Sequence, residues 1–148
     1  MAKMNFQNAR DTEQIRRMKA LKKAGVCYFC RKGSQEKVTT PKVIYEKKFF
    51  YITPNNFPYG GSIHHYLIVP KRHLDDLTQI SNKEMVELKK MIVWLKKHFK
   101  IKGYSVFIRS GEMNYTGATI DHLHFHFIVG KKKNKNSKWL MVTLGYKN

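Results

Sequence analysis

Acidic residues are scarce in this chain: 10 Asp and Glu stand against 29 Lys and Arg, leaving a formal net charge of +19. Such a field favours anionic partners, phosphorylated metabolites or nucleic acid, without choosing between them. Long apolar runs are missing as well. No window approaches the roughly 18 apolar residues of a membrane span, and Met1 to Gln14 has no apolar stretch of the kind that forms a secretory leader. The sequence therefore predicts a soluble cytoplasmic protein with no membrane partner. No internal repeat and no linker divides it, which favours one domain over residues 1–148, the first ten frayed. Cysteine occurs only as Cys27 and Cys30. That C-x-x-C spacing suits a redox pair or half of a zinc site. A redox turn should open a helix, and Arg31-Lys32-Gly33-Ser34 does not, so zinc is favoured if two more ligands exist.

The stretch His122-Leu123-His124-Phe125-His126-Phe127-Ile128-Val129 alternates three histidines with apolar residues. Period two is the signature of a half-buried strand, here over 121–129, with the imidazoles on one face and Leu123, Phe125 and Phe127 on a core. A neutral imidazole can serve as metal ligand, general base or nucleophile. Alternation alone does not choose among these roles.

Other elements follow from period and punctuation. A basic helix is predicted from Asp11 or Thr12 to Ala24, burying Ile15, Met18 and Leu21 and ending at Gly25. Val43 to Tyr45 and Phe49 to Ile52 form a hairpin, Pro54 to Gly61 a loop, and Ile63 to Val69 a buried strand closed by Pro70. Ser81-Asn82-Lys83-Glu84 is a capping box opening a helix that buries Met85, Leu88, Ile92, Leu95 and Phe99. Tyr104 to Ile108 is a strand, Arg109 to Asp121 a loop, and Trp139 to Tyr146 alternates as a last strand. Together these predict an α+β fold: an antiparallel sheet of five or six strands with a long helix beside it and a short N-terminal helix.

The triple-histidine stretch resembles the signature of the histidine-triad (HIT) family, His-φ-His-φ-His-φ-φ. The Asn-rich Pro-Tyr loop and His65-Tyr-Leu-Ile-Val-Pro70-Lys71-Arg72-His73 resemble that family's upstream strand, and a capped helix separates the two, so the likeness spans about Cys27 to Val129. The resemblance implies a HIT-like fold and a nucleotide hydrolase or transferase acting at an α-phosphate. It makes His124 the nucleophile that carries a covalent nucleotidyl intermediate, His126 a phosphate and leaving-group contact, and His65 a contact to the same phosphate. Gly117 and Thr119 would meet phosphate oxygens. Ser110 or Asn114 would replace an Asn or Gln found earlier in the loop in relatives, Asn55 or Asn56 would meet the ribose, and Phe29, Ile52 or Phe57 the base. His64, facing opposite to His65, would be a spectator. A zinc-containing branch implies a structural Zn2+ on Cys27, Cys30, His73 and His122.

The substrate expected is a nucleoside phosphate derivative, a dinucleoside polyphosphate or a nucleoside phosphoramidate, with Lys131, Lys132 and Lys133 favouring a polyanion. The alternatives are a dinucleoside polyphosphate phosphorylase or nucleotidyltransferase, and a basic HIT protein that binds nucleic acid or removes adenylate from DNA. Members of the family often form twofold dimers. The sequence leaves a homodimer open.

Overall fold

The computed structural model describes residues 3–30 and 40–148, so Arg31 to Ser34 lie outside the described residues. Helix α1, Thr12–Ala24, starts where the Asp11 carboxylate accepts the Gln14 N–H, and it stops at Gly25 in the left-handed conformation. Five strands follow: β1 Tyr45–Glu46, β2 Phe50–Pro54, β3 His64–Pro70, β4 Ser105–Ile108 and β5 Phe125–Val129. They form one antiparallel sheet in the order β1-β2-β3-β5-β4. Between β3 and β4 runs α2, Asn82–His98, and a single turn of helix, α3 Met113–Thr116, interrupts the loop before β5.

β2 and β3 are buried on both faces, which is why they read as nearly unbroken apolar runs. Phe50, Ile52 and Ile68 join Leu123, Phe125 and Phe127 under Leu88, Met91 and Leu95 of α2. Their neighbours Tyr51, Leu67 and Val69 turn to the other face and pack with Phe29. The first face is the structural core. The second carries the histidines.

The long helix begins at the predicted capping box, with reciprocal bonds between Ser81 and Glu84. Its buried stripe is shifted from the predicted one: Glu84, Leu88, Met91 and Leu95 face inward, Ile92 and Phe99 are half-buried, and Met85 is exposed. A carboxylate can hold a core-facing position because Arg72 donates to both of its oxygens, at 2.6 and 2.8 Å.

Two strand boundaries also need correction. The triad stretch pairs with its neighbours only from Phe125, so His122 and His124 lie in the extended segment leading into β5. Residues 139–146 form no strand: the sheet ends at β4, and Trp139 and Met141 are 88% and 77% exposed. The sheet therefore has five strands. No described helix is long and apolar enough to cross a membrane.

Candidate active site and metal centre

Antiparallel pairing places Leu67 and Phe107 on either side of His126, and the His126 ring stacks on Phe107 at 4.4 Å between centroids. Two residues back along the chain, the His124 ring lies 4.9 Å from that of His126. His122, two residues further, meets Phe29 edge-on at 5.7 Å. The three rings do share the face opposite α2. Each nevertheless has a different partner, and the partner decides which nitrogen carries the proton.

Nδ1 of His124 lies 2.7 Å from the His122 carbonyl oxygen, which can only accept, so Nδ1 is protonated and Nε2 keeps its lone pair. In His65 the Tyr59 backbone N–H donates to Nδ1 at 3.1 Å, leaving Nε2 to donate to Nδ1 of His126 at 2.9 Å. The Nε2 proton of His126 then sits beside Arg109, whose Nη1 is 3.3 Å away. Burial, with Arg109 adding to it, pushes the His124 imidazole down to about 4. Burial, aided by Arg10 and neighbouring His124, does the same to His65, also to about 4. His126 is held well below the usual range for the same first cause, with His124 and His65 adding to it. All three are neutral at neutral pH.

The His124 and His126 rings border a cleft of about 770 Å³, open mouth included. Its wall includes His124, His126, Asn55, Asn56, Gly117 and Thr119 of the predicted set. Asn56 donates to the Tyr28 hydroxyl at 2.8 Å on the cleft wall. Asn55 is occupied in building its own loop, accepting from the Phe57 N–H and approaching His65. His65 itself lies behind His126 rather than on the cleft wall, its Nε2 2.9 Å from Nδ1 of His126. His64 packs on Tyr66 and Phe99, on the far face.

Three predicted residues fall elsewhere. The Ser110 hydroxyl accepts the Leu77 N–H at 2.7 Å, and Asn114 accepts from Asn5 at 3.2 Å; neither lines the cleft. Both side chains are taken up by segments distant in sequence. Ile52 points into the α2 core, leaving Phe29 and Phe57 as the aromatic wall.

Sequence reasoning missed two cations. Arg109 follows β4 directly and shares the face of Phe107, two residues before it; it donates to the Tyr59 hydroxyl at 2.9 Å and to the Thr143 carbonyl at 2.5 Å. Its Nε is buried with no hydrogen-bond partner. Period-two counting forward from Phe107 contained the signal. Arg10 donates to the Phe57 carbonyl and lies over the Tyr59 ring, 4.4 Å from its centroid. Nothing in the first ten residues announced this. Among the described residues no carboxylate lines the cleft.

Beside it, Cys27, Cys30, His73 and His122 converge, their ligand atoms all within 4.8 Å of one another. Cys27 Sγ and Cys30 Sγ lie 3.3 and 3.4 Å from Nδ1 of His122, and Cys30 Sγ lies 3.4 Å from Nδ1 of His73. A tetrahedral zinc ion with bonds of about 2.0–2.3 Å would put its ligands roughly 3.5 Å apart, so the four donors fit one. The tautomers agree. Nε2 of His122 donates to the Pro70 carbonyl at 2.9 Å, which frees Nδ1 for a metal. Asp121, with its buried Oδ1 otherwise unpartnered, stands 3.8 Å from Nε2 of His73 on the side away from the cysteines. Burial, with Cys30 beside it, pushes the Cys27 thiol up to about 12, so a cation against its sulfur is what would bring it to thiolate at neutral pH.

Known proteins share this arrangement of sequence. A family model described as the HIT domain matches residues 36–133. The chain belongs to the HIT family. An uncharacterised HIT-like protein of Methanocaldococcus jannaschii is 31% identical to this HIT protein over 111 residues, 70% of its length and 78% of the relative's. Among solved structures, a histidine triad protein from Clostridium difficile is 27% identical, with a TM-score of 0.50 over 67% of this chain and 87% of that one. A Zn-bound histidine triad family protein from Mycobacterium smegmatis shares the fold at 23% identity, with a TM-score of 0.50 over 67% and 72% of the two chains.

Proposed function

We propose that this HIT protein is a nucleotide hydrolase that cleaves at the α-phosphate of a nucleoside phosphate derivative, with His124 as nucleophile. The observation that carries the reading is the His124 tautomer. Its Nδ1 proton is given to the His122 carbonyl, so the bare Nε2 of a ring on the cleft wall needs no base before attacking phosphorus. In the first step the Nε2–P bond forms and the bond from phosphorus to the leaving group breaks. In the second, water attacks the same phosphorus, the N–P bond breaks, and the nucleoside monophosphate leaves.

The neighbours supply what that chemistry lacks. The developing imidazolium is stabilised by its Nδ1–H···O=C bond, which strengthens as charge builds. Charge on the phosphoryl oxygens meets the Nε2–H of His126 and the Arg109 guanidinium, whose unpartnered Nε suits an anionic acceptor. Two arginines and no carboxylate favour a substrate with more than one phosphate, so we place dinucleoside polyphosphates ahead of phosphoramidates. Phe29 and Phe57 would hold the base, and Asn56 with Tyr28 the sugar. Zinc on Cys27, Cys30, His73 and His122 would be structural: four protein ligands leave no open position, and the ion would hold the segment leading to His124.

The test is turnover of diadenosine tri- and tetraphosphate, adenosine phosphoramidate and adenylated DNA, with and without inorganic phosphate. His124→Asn should cut turnover on the order of 10³-fold or more while leaving the melting temperature unchanged. Full activity in that variant would remove His124 from the mechanism, and a product carrying added phosphate would make the enzyme a phosphorylase.

A further inference from the structure

A second concavity adjoins the cleft. Its bed is made by Gly60, Gly61 and Gly130, and its wall by residues 131–134 and 136–140. Gly60 directly follows Tyr59 of the cleft, and Gly130 directly follows the strand that carries His126, so the two hollows are neighbours. No atom lies within 4 Å of where a Cβ would stand on any of the three glycines. The bed is bare backbone, open to close approach.

The wall has one chemical character. Four lysines, Lys131, Lys132, Lys133 and Lys138, and no acid line it, and the turn among them is ordered by Asn134, whose side chain accepts the Asn136 N–H while its carbonyl accepts the Ser137 N–H. At the end of this run stands Trp139, 88% exposed. The protein's other tryptophan behaves differently: Trp94 stacks on Tyr45 at 4.2 Å and on His98 at 4.4 Å. An aromatic ring left in water at the end of a cationic trough has no role in the core. The hollow is wide and open to solvent.

We propose that this trough binds single-stranded nucleic acid, with Lys131, Lys132, Lys133 and Lys138 against phosphates and Trp139 stacked on a base. The pairing of a cationic track with an exposed stacking ring is what such ligands require, because phosphates recur along the strand and every base has a π-face. Single strands fit better than duplex. A duplex buries its base faces and would leave Trp139 nothing to stack on. The concave bed also fits a strand better than a membrane surface, to which lysines and tryptophan can otherwise adhere. This site is separate from the proposed hydrolysis and does not depend on it.

The test uses the full chain and a fluorescent twelve-residue oligothymidylate, with binding followed by anisotropy from 50 to 300 mM salt. A Lys131→Gln/Lys132→Gln/Lys133→Gln variant should reduce the slope of log affinity against log salt by about 2, at roughly 0.7 per lost phosphate contact. Trp139→Ala should weaken binding about tenfold, and Trp139→Phe should restore most of it. In a Trp94→Phe background, oligonucleotide should quench the Trp139 emission. An unchanged slope in the lysine variant, or unchanged affinity in Trp139→Ala, overturns the site. Binding to phosphatidylserine vesicles without binding to the oligonucleotide assigns the trough to membranes and overturns it equally. His124→Asn should bind the oligonucleotide as the parent does, so loss of hydrolysis and loss of binding are read separately.

Discussion

Arg109 stands where the end of β4 meets the triad face, its Nη1 by His126 and its Nε buried without an acceptor. A guanidinium already anchored by Tyr59 and Thr143 needs little further ordering to receive a phosphate, so it contributes most when charge builds on the substrate. Arg109→Ala should therefore lower kcat/KM on a dinucleoside polyphosphate about 10²-fold, with a smaller loss for Arg109→Lys. Steady-state kinetics on tri- and tetraphosphate substrates checks this; equal rates in the alanine variant would mean that the residue only braces the Thr143 segment. The C-x-x-C spacing by itself raised a zinc site for Cys27 and Cys30, and the period-two triad put His122, His124 and His126 on one face; which histidine would bind metal and which would attack came only from the resemblance to the HIT family. Ser110 and Asn114 lie off the cleft wall, bonded instead to the Leu77 amide and Asn5, 33 and 109 residues away. Hydroxyl and amide side chains bond to whatever is near, and spacing does not reveal that.

The elements were legible in proportion to how local their causes are. The ends of α1 and the start of α2 rest on caps within four residues, and they fall where expected. The final stretch from Trp139 alternates as a strand does, yet it has no strand beside it, since hydrogen-bond partners are a property of the sheet and not of the segment. The inward phase of α2 was missed because Glu84 ranks as polar, although Arg72 and Ser81 satisfy it in a buried position. That cluster has a pH signature. The Arg72 guanidinium beside it holds the Glu84 carboxyl at about 2, against 4.5 in an unfolded chain. The unfolded state binds the proton first, so the contribution is complete above pH 4.5 and is lost as pH falls toward 2. Because Arg72 is half exposed, the effect is discounted to about 2 kcal/mol. Glu84→Gln should melt roughly 5 °C below the parent at pH 7, and the gap should close as pH approaches 2. A gap independent of pH would mean that the cap, and not the charge, carries the stability.

On the scale of the whole molecule, the four sulfur and nitrogen donors tie together parts of the chain that the sheet alone does not. Cys27 and Cys30 lie on the connection after α1, His73 just beyond the end of β3, and His122 before the start of β5. A bound ion would cross-link residues 27 to 122, closing a long loop whose free ends are costly to bring together. It would also fix the carbonyl of His122, the group that sets the His124 tautomer. On the proposed mechanism, metal binding and the reactivity of His124 would thus be coupled through one residue. The purified protein should carry about one zinc per chain. Stripping the metal, or Cys27→Ser, should lower the melting temperature by roughly 10–15 °C, for a site worth a few kcal/mol. If the His122 carbonyl is held by the ion, stripping should lower kcat, and it should raise KM as well, because Tyr28 and Phe29 lie between the two cysteines and Asn56 is bonded to Tyr28. Metal analysis alongside calorimetry and kinetics decides the matter: a metal-free protein with unchanged melting and unchanged kcat would leave the cysteines as half-buried free thiols and the fold sufficient to position His124 by itself.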